Sequence, residues 1–403
     1  MTSNRRYVLF LAAIVTTTLA LGSLVAWRSW NDHRRTRLAH ECRLARSGQR
    51  WEELQTLADE WTRLDPQNGD AWMNRGIAAN ARKEWVQAAE NFWQVPDSSP
   101  QAIPAMIELS KLGFTHLNKP LRGVEACERI LRIDPMAAGA RQQLIWFYSM
   151  TMQRAKLRQQ ILEAIERQCE PREAYIYYFL LYTLRSQDAV GLNARWLQGT
   201  PDSELFLVAS VINLPDPSGS PDSPNPSSTA MDHRLAFEEK TKLQQVDELL
   251  TRFPHNLELI AYKAEERFTN GDPSKAMAIL KNAPESAAQD GRFWRFKGWL
   301  HEANNQLEAS IAAYKKALEL HPVDWNTMNR LSIVERRLQN QSEVKRLTGL
   351  VERGNDVRKR LRQQVVETAS PQILQEMAAL FRDCRDDEIA RSLENRLNGA
   401  RAR

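Results

Sequence analysis

Apolar residues in this chain recur at helical spacing, in short segments separated by turn residues. Leucine, alanine, arginine, glutamate and glutamine dominate these segments, and all five favour helices. No run of alternating β-branched residues with hairpin turns interrupts them, so strands are not expected. The pattern predicts an all-α protein built from antiparallel helix pairs. The pairs with the weaker signals are Leu38–Leu64, Ile103–Ile133, Ala138–Gln168, Glu173–Gln198, Leu257–Asn282 and Trp325–Arg353. The helix that begins at Glu173 is expected to end at Leu184, and Gly399 is expected to stop the last helix.

Two segments carry the same residue types at the same spacing. The first contains Trp72, Gly76, Ala88, Phe92 and Pro100. The second contains Trp294, Gly298, Ser310, Tyr314, Ala317 and Pro322. In both, glycine follows tryptophan by four residues, a small residue follows glycine by twelve, and an aromatic residue follows four later. The agreement predicts two copies of one helix pair, each closed by a proline that cannot continue a helix.

The spacing has a physical cause. A glycine one turn after the tryptophan lets the second helix of the pair approach closely. The small residue and the aromatic residue lie at i and i+4, on the same face of that second helix. The whole pattern resembles the tetratricopeptide repeat, whose signature runs W-x2-L-G-x2-Y, then A-x3-F, then P.

The resemblance implies an α-solenoid, a right-handed superhelix of about nine or ten stacked helix pairs. It also implies that the first helix of each pair lines a concave groove, where peptides or subunits of other proteins bind. Such a stack is typical of binding proteins. We therefore expect a scaffold or adaptor that mediates protein–protein interaction and has no catalytic activity.

The resemblance places seven residues of the second copy and the following helix in this groove. They are Arg292, Arg295, Trp299, Asn326, Asn329, Arg330 and Arg336. Guanidinium groups, side-chain amides and one large aromatic ring suit an extended, partly acidic peptide. The alternative is that Trp299 belongs to the core between repeats and that Arg330 or Arg336 only pairs with neighbouring glutamates. The first copy offers a more apolar groove, with Met73, Ile77 and Asn80.

Tyr7–Trp27 is a stretch of 21 residues without a charge. As a helix it would span roughly 30 Å, the thickness of the hydrocarbon core of a bilayer. It predicts one transmembrane helix, residues 7–27, after a tail of residues 1–6 and before a basic segment of residues 28–35. The expected localisation is single-pass membrane, and the arginines after the span slightly favour a cytoplasmic array.

The same stretch has an alternative interpretation as a secretory signal peptide. Arg5 and Arg6 would form its basic start, and Ala20-Leu21-Gly22 its cleavage site. The mature protein would then be exported, as a chaperone-like assembly factor of the cell envelope.

A proline- and serine-rich segment, Leu214–Met231, has five prolines and five serines among its 18 residues. It has too little apolar surface to offset the entropy lost on ordering, so it predicts a disordered insertion over residues 214–231. The insertion would separate an N-terminal array, residues 36–213, from a C-terminal array and its cap, residues 232–403.

Composition and motifs give no sign of other functions. The formal net charge is only +5, and basic residues alternate with acidic ones, so nucleic acid is not an expected partner. Phosphate-loop, dinucleotide-binding, zinc-helix and nucleophile-elbow motifs are absent from the sequence. We therefore expect no metal, cofactor or small-molecule substrate; an enzyme with an unrecognised site is the remaining alternative.

Two residue types are assigned structural roles. The cysteines Cys42, Cys127, Cys169 and Cys384 form no C-x-x-C pair, and Cys127 is expected to be a small buried side chain. His321 directly precedes Pro322 and is expected to act as a cation at a helix C-terminus.

Overall fold

The structure, a computed structural model, describes residues 26–215, 241–362 and 369–401. Every regular element in these residues is helical, which confirms the predicted all-α class. By its contacts the chain divides into unit 1, Met1–Pro135, and unit 2, Met136–Arg403. The predicted disordered insertion lies outside the described residues from position 216 onwards, so the division at 214–231 stays a prediction.

Unit 1 consists of three helix pairs, in which each helix packs against the next in sequence. The helices are α1 (described over 26–47), α2 (Trp51–Leu64), α3 (Gly69–Ala81), α4 (Trp85–Trp93), α5 (Ala102–Phe114) and α6 (Pro120–Ile133). Part of the core joins α1, α2 and α3 through Leu38, Cys42, Leu54, Trp61 and Ala71.

Unit 2 continues with helix pairs. Its first helices are α7 (Ala138–Met150), α8 (Arg154–Glu166), α9 (Ala174–Phe179), α10 (Gln187–Leu197) and α11 (Glu204–Ile212). After the gap come α12 (Lys242–Arg252), α13 (Leu257–Thr269), α14 (Pro273–Leu280) and a 3-10 turn (Glu285–Gln289). The remaining helices are α15 (Gly291–Ala303), α16 (Leu307–Leu320), α17 (Trp325–Arg337), α18 (Gln341–Arg362), α19 (Pro371–Asp383) and α20 (Asp387–Arg401).

No helix in the described part of the chain is both long and apolar enough to cross a bilayer. This finding corrects the predicted single-pass membrane localisation, which the structure does not support. Residues 7–25 of the predicted span lie outside the described residues. The described part of α1 packs on α2, because Leu38 and Cys42 are buried in the core and Arg34 and Arg35 pair with Glu60 and Asp65.

The two strong copies have the close helix contact that their spacing predicts. A Cβ atom added to Gly76 would lie 2.4 Å from Cε1 of Phe92, and one added to Gly298 would lie 2.6 Å from Cδ1 of Tyr314. Only glycine leaves space for the aromatic ring at either position. The glycine and the aromatic residue therefore jointly specify how the two helices of each pair pack.

The tryptophans of the two copies also make the same hydrogen bond. Nε1 of Trp72 donates to the backbone oxygen of Pro66 at 2.8 Å, and Nε1 of Trp294 donates to that of Ala288 at 2.9 Å. In each copy the acceptor lies six residues before the tryptophan, in the connection that precedes the helix. The indole ring therefore ties the first helix of the pair to the chain that enters it.

Among the described residues, eight of the turns inside helix pairs share one backbone feature, a residue with φ between 52° and 72°. These residues are Gln49, Lys83, Asn118, Met152, Gly271, Asn305, Gln339 and Arg385. Most successive positions are 34 or 35 residues apart, which is the repeat length. A left-handed residue after a helix lets the chain reverse while its amide satisfies a carbonyl of the last turn.

Lys83→Gly is expected to stabilise the protein by about 0.5–1 kcal/mol, because the left-handed conformation costs a lysine more than it costs a glycine. Lys83 is exposed and has φ 63°, so the substitution removes little packing. Urea denaturation of the full chain measures the change. Lys83→Ala is the control, since alanine keeps the unfavourable Cβ; an equal gain from both variants would contradict the explanation.

Two predicted helix bounds need correction. The helix expected from Glu173 ends at Phe179, well before Leu184, because the chain turns at residues 180–182. Gly399 was expected to stop the last helix, but α20 continues to Arg401.

Candidate functional site

The candidate site lies on three neighbouring helices of unit 2, the first helices of successive pairs. Helix α13 contacts α15, and α15 contacts α17. Side chains from the three helices form two rows across this surface. One row is ionic, with the buried Arg295 and Asp324 and the half-exposed Glu265 at its centre; the other is aromatic, with Phe268 and Trp299.

Arg292 is a buried structural residue, with only 6% of its surface exposed. Its Nη1 and Nη2 donate to both carboxylate oxygens of Glu258 on α13, at 2.9 and 2.6 Å. The same guanidinium donates to Asp290, the N-cap of α15. Glu258 accepts a further bond from Arg154 on α8, at 3.0 Å. The guanidinium group of Arg292 therefore donates its hydrogen bonds to acceptors inside the protein.

The charges in this cluster stabilise each other. Burial alone would raise the pKa of Glu258, but Arg292 and Arg154 outweigh it and lower the pKa to about 2. The carboxylate is therefore ionised at neutral pH, as a buried acid with two cationic partners should be.

Arg295 has the same low exposure and a similar role one turn later. It donates to Glu265 on α13 at 2.6 Å and to Asp324 at 2.9 Å. Asp324 is the N-cap of α17, where it also accepts bonds from the backbone of Asn326 and Thr327. Arg295 thus connects three successive first helices, a structural role that the sequence did not predict for it.

Trp299 and Arg330 form a partly exposed stack on the same surface. The indole ring packs against Phe268, with the ring centroids 3.7 Å apart. The guanidinium carbon of Arg330 lies 4.3 Å from the centroid of the Trp299 ring, within the range of a cation–π interaction. Trp299 therefore contributes to the core, as the alternative predicted, and also contacts an arginine at the surface.

The remaining predicted residues lie on one face of α17. Asn326, Asn329 and Arg336 are exposed, and Arg330 is half-buried. Their spacing places them within about 120° of each other around the helix. The structure thus brings Trp299, Arg330 and the two asparagines together, while Arg292 and Arg295 lie beneath this surface. In unit 1, Met73 is buried, and Ile77 and Asn80 are half-buried on α3.

A family model described as tetratricopeptide repeat matches residues 263–324. Residues 263–324 are therefore similar to the tetratricopeptide repeat. The match includes the second strong copy and most of α13, α15 and α16, so it confirms the predicted repeat in this part of the chain. Among curated proteins, none matches the chain.

Several solved structures resemble the chain at low sequence identity. A tetratricopeptide repeat protein from Parabacteroides merdae is 13% identical and covers 75% of this chain and 99% of its own, with a TM-score of 0.26. Yeast Tom70 is 13% identical and covers 91% of this chain and 77% of its own, with a TM-score of 0.28. Cut9–Hcn1 of the APC/C is 12% identical and covers 90% of this chain and 78% of its own, with a TM-score of 0.29. At such TM-scores no property of these proteins is carried over.

Part of the repeat surface in unit 2 is occupied by the chain itself. Phe179 of α9 packs against Trp325 and Phe381, with ring centroids 5.3 and 5.8 Å apart. The hydroxyl of Tyr182 accepts a hydrogen bond from the backbone nitrogen of Gly291 at 2.8 Å. The segment 174–184 therefore covers the N-terminal ends of α15 and α17.

His321 is not the helix-terminal cation that the sequence predicted. It follows α16, but only 1% of its surface is exposed, and its ring contacts Tyr178 and Tyr182. Burial lowers its pKa to about 4, so it is neutral at physiological pH. The correction has a simple reason: α9 covers this helix end, and the sequence did not show that contact.

Within the described residues, no group of histidine, cysteine, aspartate or glutamate is arranged to hold a metal ion. Cys127 is buried as predicted, and burial raises the pKa of its thiol to about 12. The acidic partners of the buried arginines were not predicted from the sequence. One signal was available, since Glu258 and Arg292 have opposite charges and are separated by one repeat of 34 residues.

Proposed function

We propose that this protein is a non-catalytic scaffold that binds an extended, partly acidic segment of a partner protein along α15 and α17. The observation that carries the proposal is the half-exposed stack of Arg330 on Trp299, beside the exposed amides of Asn326 and Asn329. The tetratricopeptide repeat match over residues 263–324 supports it, because it includes α15 and reaches the N-cap of α17.

The chemistry of this face fits such a segment. The amides of Asn326 and Asn329 each offer donors and an acceptor to the backbone of an extended peptide. The guanidinium groups of Arg330 and Arg336 are planar forks that match carboxylates. Because these groups are at least partly exposed, binding should weaken as salt is added.

The proposal is tested with a fluorescein-labelled peptide that is rich in aspartate and glutamate and contains one tyrosine. Fluorescence polarisation measures its binding to the full chain. The double variant Arg330→Ala/Arg336→Ala is expected to bind roughly tenfold more weakly, a change of about 1.4 kcal/mol. Charge reversal of Arg295 would be uninformative, because that residue is buried and supports the fold.

Arg337→Ala is the matched control. This arginine lies on α17 next to Arg336, but it donates to Asn305 at 2.7 Å. Its removal should leave peptide affinity close to that of the unmodified chain. If the double variant keeps full affinity while its circular dichroism is unchanged, this face of α17 is not the binding surface.

A further inference from the structure

Four polar side chains on one face of α17 have no hydrogen-bond or ion-pair partner among the described residues. They are Asn326, Asn329, Arg330 and Arg336. The nitrogen through which Asn326 donates to Asp324 is a backbone atom. The oxygen of Asn329 that accepts a bond from Ser332 likewise belongs to the backbone. A ligand can therefore bind these amides and guanidinium groups without breaking a polar contact of the fold.

The two arginines are available for carboxylates of a ligand. The guanidinium carbon of Arg330 lies 4.3 Å from the centroid of the Trp299 ring, which holds the group at the surface of α15 and α17. The carboxylate of Glu302 on α15 bonds instead to the hydroxyl of Tyr314, at 3.0 Å. Arg336 is exposed in the last turn of α17. Both guanidinium groups therefore have unused donors.

Helix geometry fixes the distance that a ligand must span between these arginines. Arg330 and Arg336 are six residues apart, so roughly 9 Å separates them along the axis of α17. Each residue advances by about 100° around the helix, which places Asn326 and Asn329 between the two arginines on its circumference. A segment that lies along α17 and pairs with both arginines therefore needs two carboxylates separated by a similar distance.

The backbone conformation of a ligand decides which of its residues have this separation. Polyproline II has three residues per turn and a rise of about 3.1 Å, so residues i and i+3 lie on one side, roughly 9 Å apart. In a β-strand the residues on one side are separated by roughly 7 Å or 13 Å. Polyproline II also has no internal hydrogen bonds, so its carbonyl groups can accept bonds from side-chain amides.

We infer that this face of α17 recognises a partner segment in the polyproline II conformation that carries two acidic residues three positions apart, as in Glu-x-x-Glu. Arg330 and Arg336 each bind one carboxylate, and Asn326 and Asn329 bind carbonyl groups between them. The inference rests on the proposed function of the same face. It adds the spacing of the acidic residues and the conformation of the bound segment.

Fluorescence polarisation of four labelled peptides with the full chain tests the inference. Three peptides have the same composition, a proline-rich host with two glutamates that are two, three or four positions apart. In the fourth peptide both glutamates are replaced by glutamine. The three-position peptide is expected to bind roughly threefold more tightly than the other two acidic peptides, because only its carboxylates reach both arginines.

Variants of the chain show whether the two arginines set the spacing. In Arg336→Ala the three acidic peptides should bind with equal affinity, since only one of the two cations remains. Arg337→Ala is the matched control, because this arginine donates to Asn305 and should leave the preference for three positions unchanged.

A change in the peptide tests the conformation separately. Glycine in place of the two prolines between the glutamates removes the preformed polyproline II structure and keeps the spacing. This peptide is expected to bind at least roughly threefold more weakly, because its backbone must be ordered on binding. Equal affinity of the glycine and proline peptides would overturn the conformation.

The remaining outcomes separate this inference from the proposed function. If all three acidic peptides bind equally well and more tightly than the glutamine peptide, the surface binds acidic segments but the spacing is wrong. Tightest binding of the two-position peptide would indicate a β-strand and overturn the inference. A preference for three positions that persists in Arg336→Ala would also overturn it. If no acidic peptide binds, the proposed function and the inference both fail.

Discussion

Glu258→Ala is expected to destabilise unit 2 by about 3–5 kcal/mol, the range measured when one partner of a buried ion pair is removed. Glu258 is shared by two arginines, Arg154 and Arg292, whose side chains are each 7% exposed. Without the carboxylate, two buried guanidinium groups face each other with one acceptor fewer. Their remaining partners are Asp290 and the backbone oxygens of Leu181 and Leu184.

Urea denaturation of the full chain, followed by circular dichroism, measures this effect. Amide hydrogen exchange in α13 and α15 shows whether the loss is located where the ion pairs lie. Glu319→Ala is the matched control, because Glu319 also pairs with a cation, Lys316, but is 63% exposed. Its loss should stay below about 1 kcal/mol. Equal losses from the two variants would mean that burial of the Glu258 cluster does not matter for stability.

The repeat itself was predictable because its packing is local in sequence. Gly76 meets Phe92, and Gly298 meets Tyr314, within one helix pair, and both contacts exclude any side chain at the glycine. Steric exclusion of this kind leaves a spaced residue pattern. The helix pairs without the tryptophan were predictable only from periodicity, so their bounds were less accurate, as α9 shows.

The turns were harder to predict for a different reason. Their left-handed residues include Gln49, Met152 and Arg385 as well as Gly271 and Asn305. Only glycine and asparagine favour this conformation by themselves. At the other positions the close packing of the two helices imposes the turn, and the local sequence does not show it.

Only some residues of the predicted site are accessible to solvent, because segments that are distant in sequence bury the others. Arg292 has the residue type and helix position of a groove residue, but its guanidinium lies over the ring of Tyr182, and Arg154 shares its partner Glu258. Glu258 and Arg154 are separated by 104 residues. No spacing rule connects them, so the sequence alone could not distinguish an arginine that binds a partner from one that stabilises the fold.

Between pH 6.5 and pH 4, His321 is expected to make unit 2 less stable by about 3 kcal/mol in total. Burial lowers the pKa of His321 to about 4, from 6.5 when it is free in the unfolded chain. Between these values the unfolded chain binds more protons than the folded one. Stability therefore falls as the pH decreases through this range.

The surroundings of His321 determine how this prediction is tested. Asp324 and Asp290 favour its protonation, but burial together with Arg158 and Arg154 outweighs them. Urea denaturation as a function of pH, for the full chain and for His321→Phe, isolates the contribution. The phenylalanine keeps an aromatic ring against Tyr178 and Tyr182 but cannot titrate, so the decrease between pH 6.5 and pH 4 should largely disappear.

A separate acidic transition should remain in both proteins. Glu258 has a folded pKa of about 2, well below its usual value of 4.5, so its ion pairs are lost only as the pH falls through that lower range. His321→Phe should thus change the dependence of the unfolding free energy on pH above pH 4 and leave the steep loss of stability below pH 4. Parallel profiles over the whole range would mean that His321 is solvated or already protonated in the folded protein, and the contact of α9 with this helix end would then be wrong.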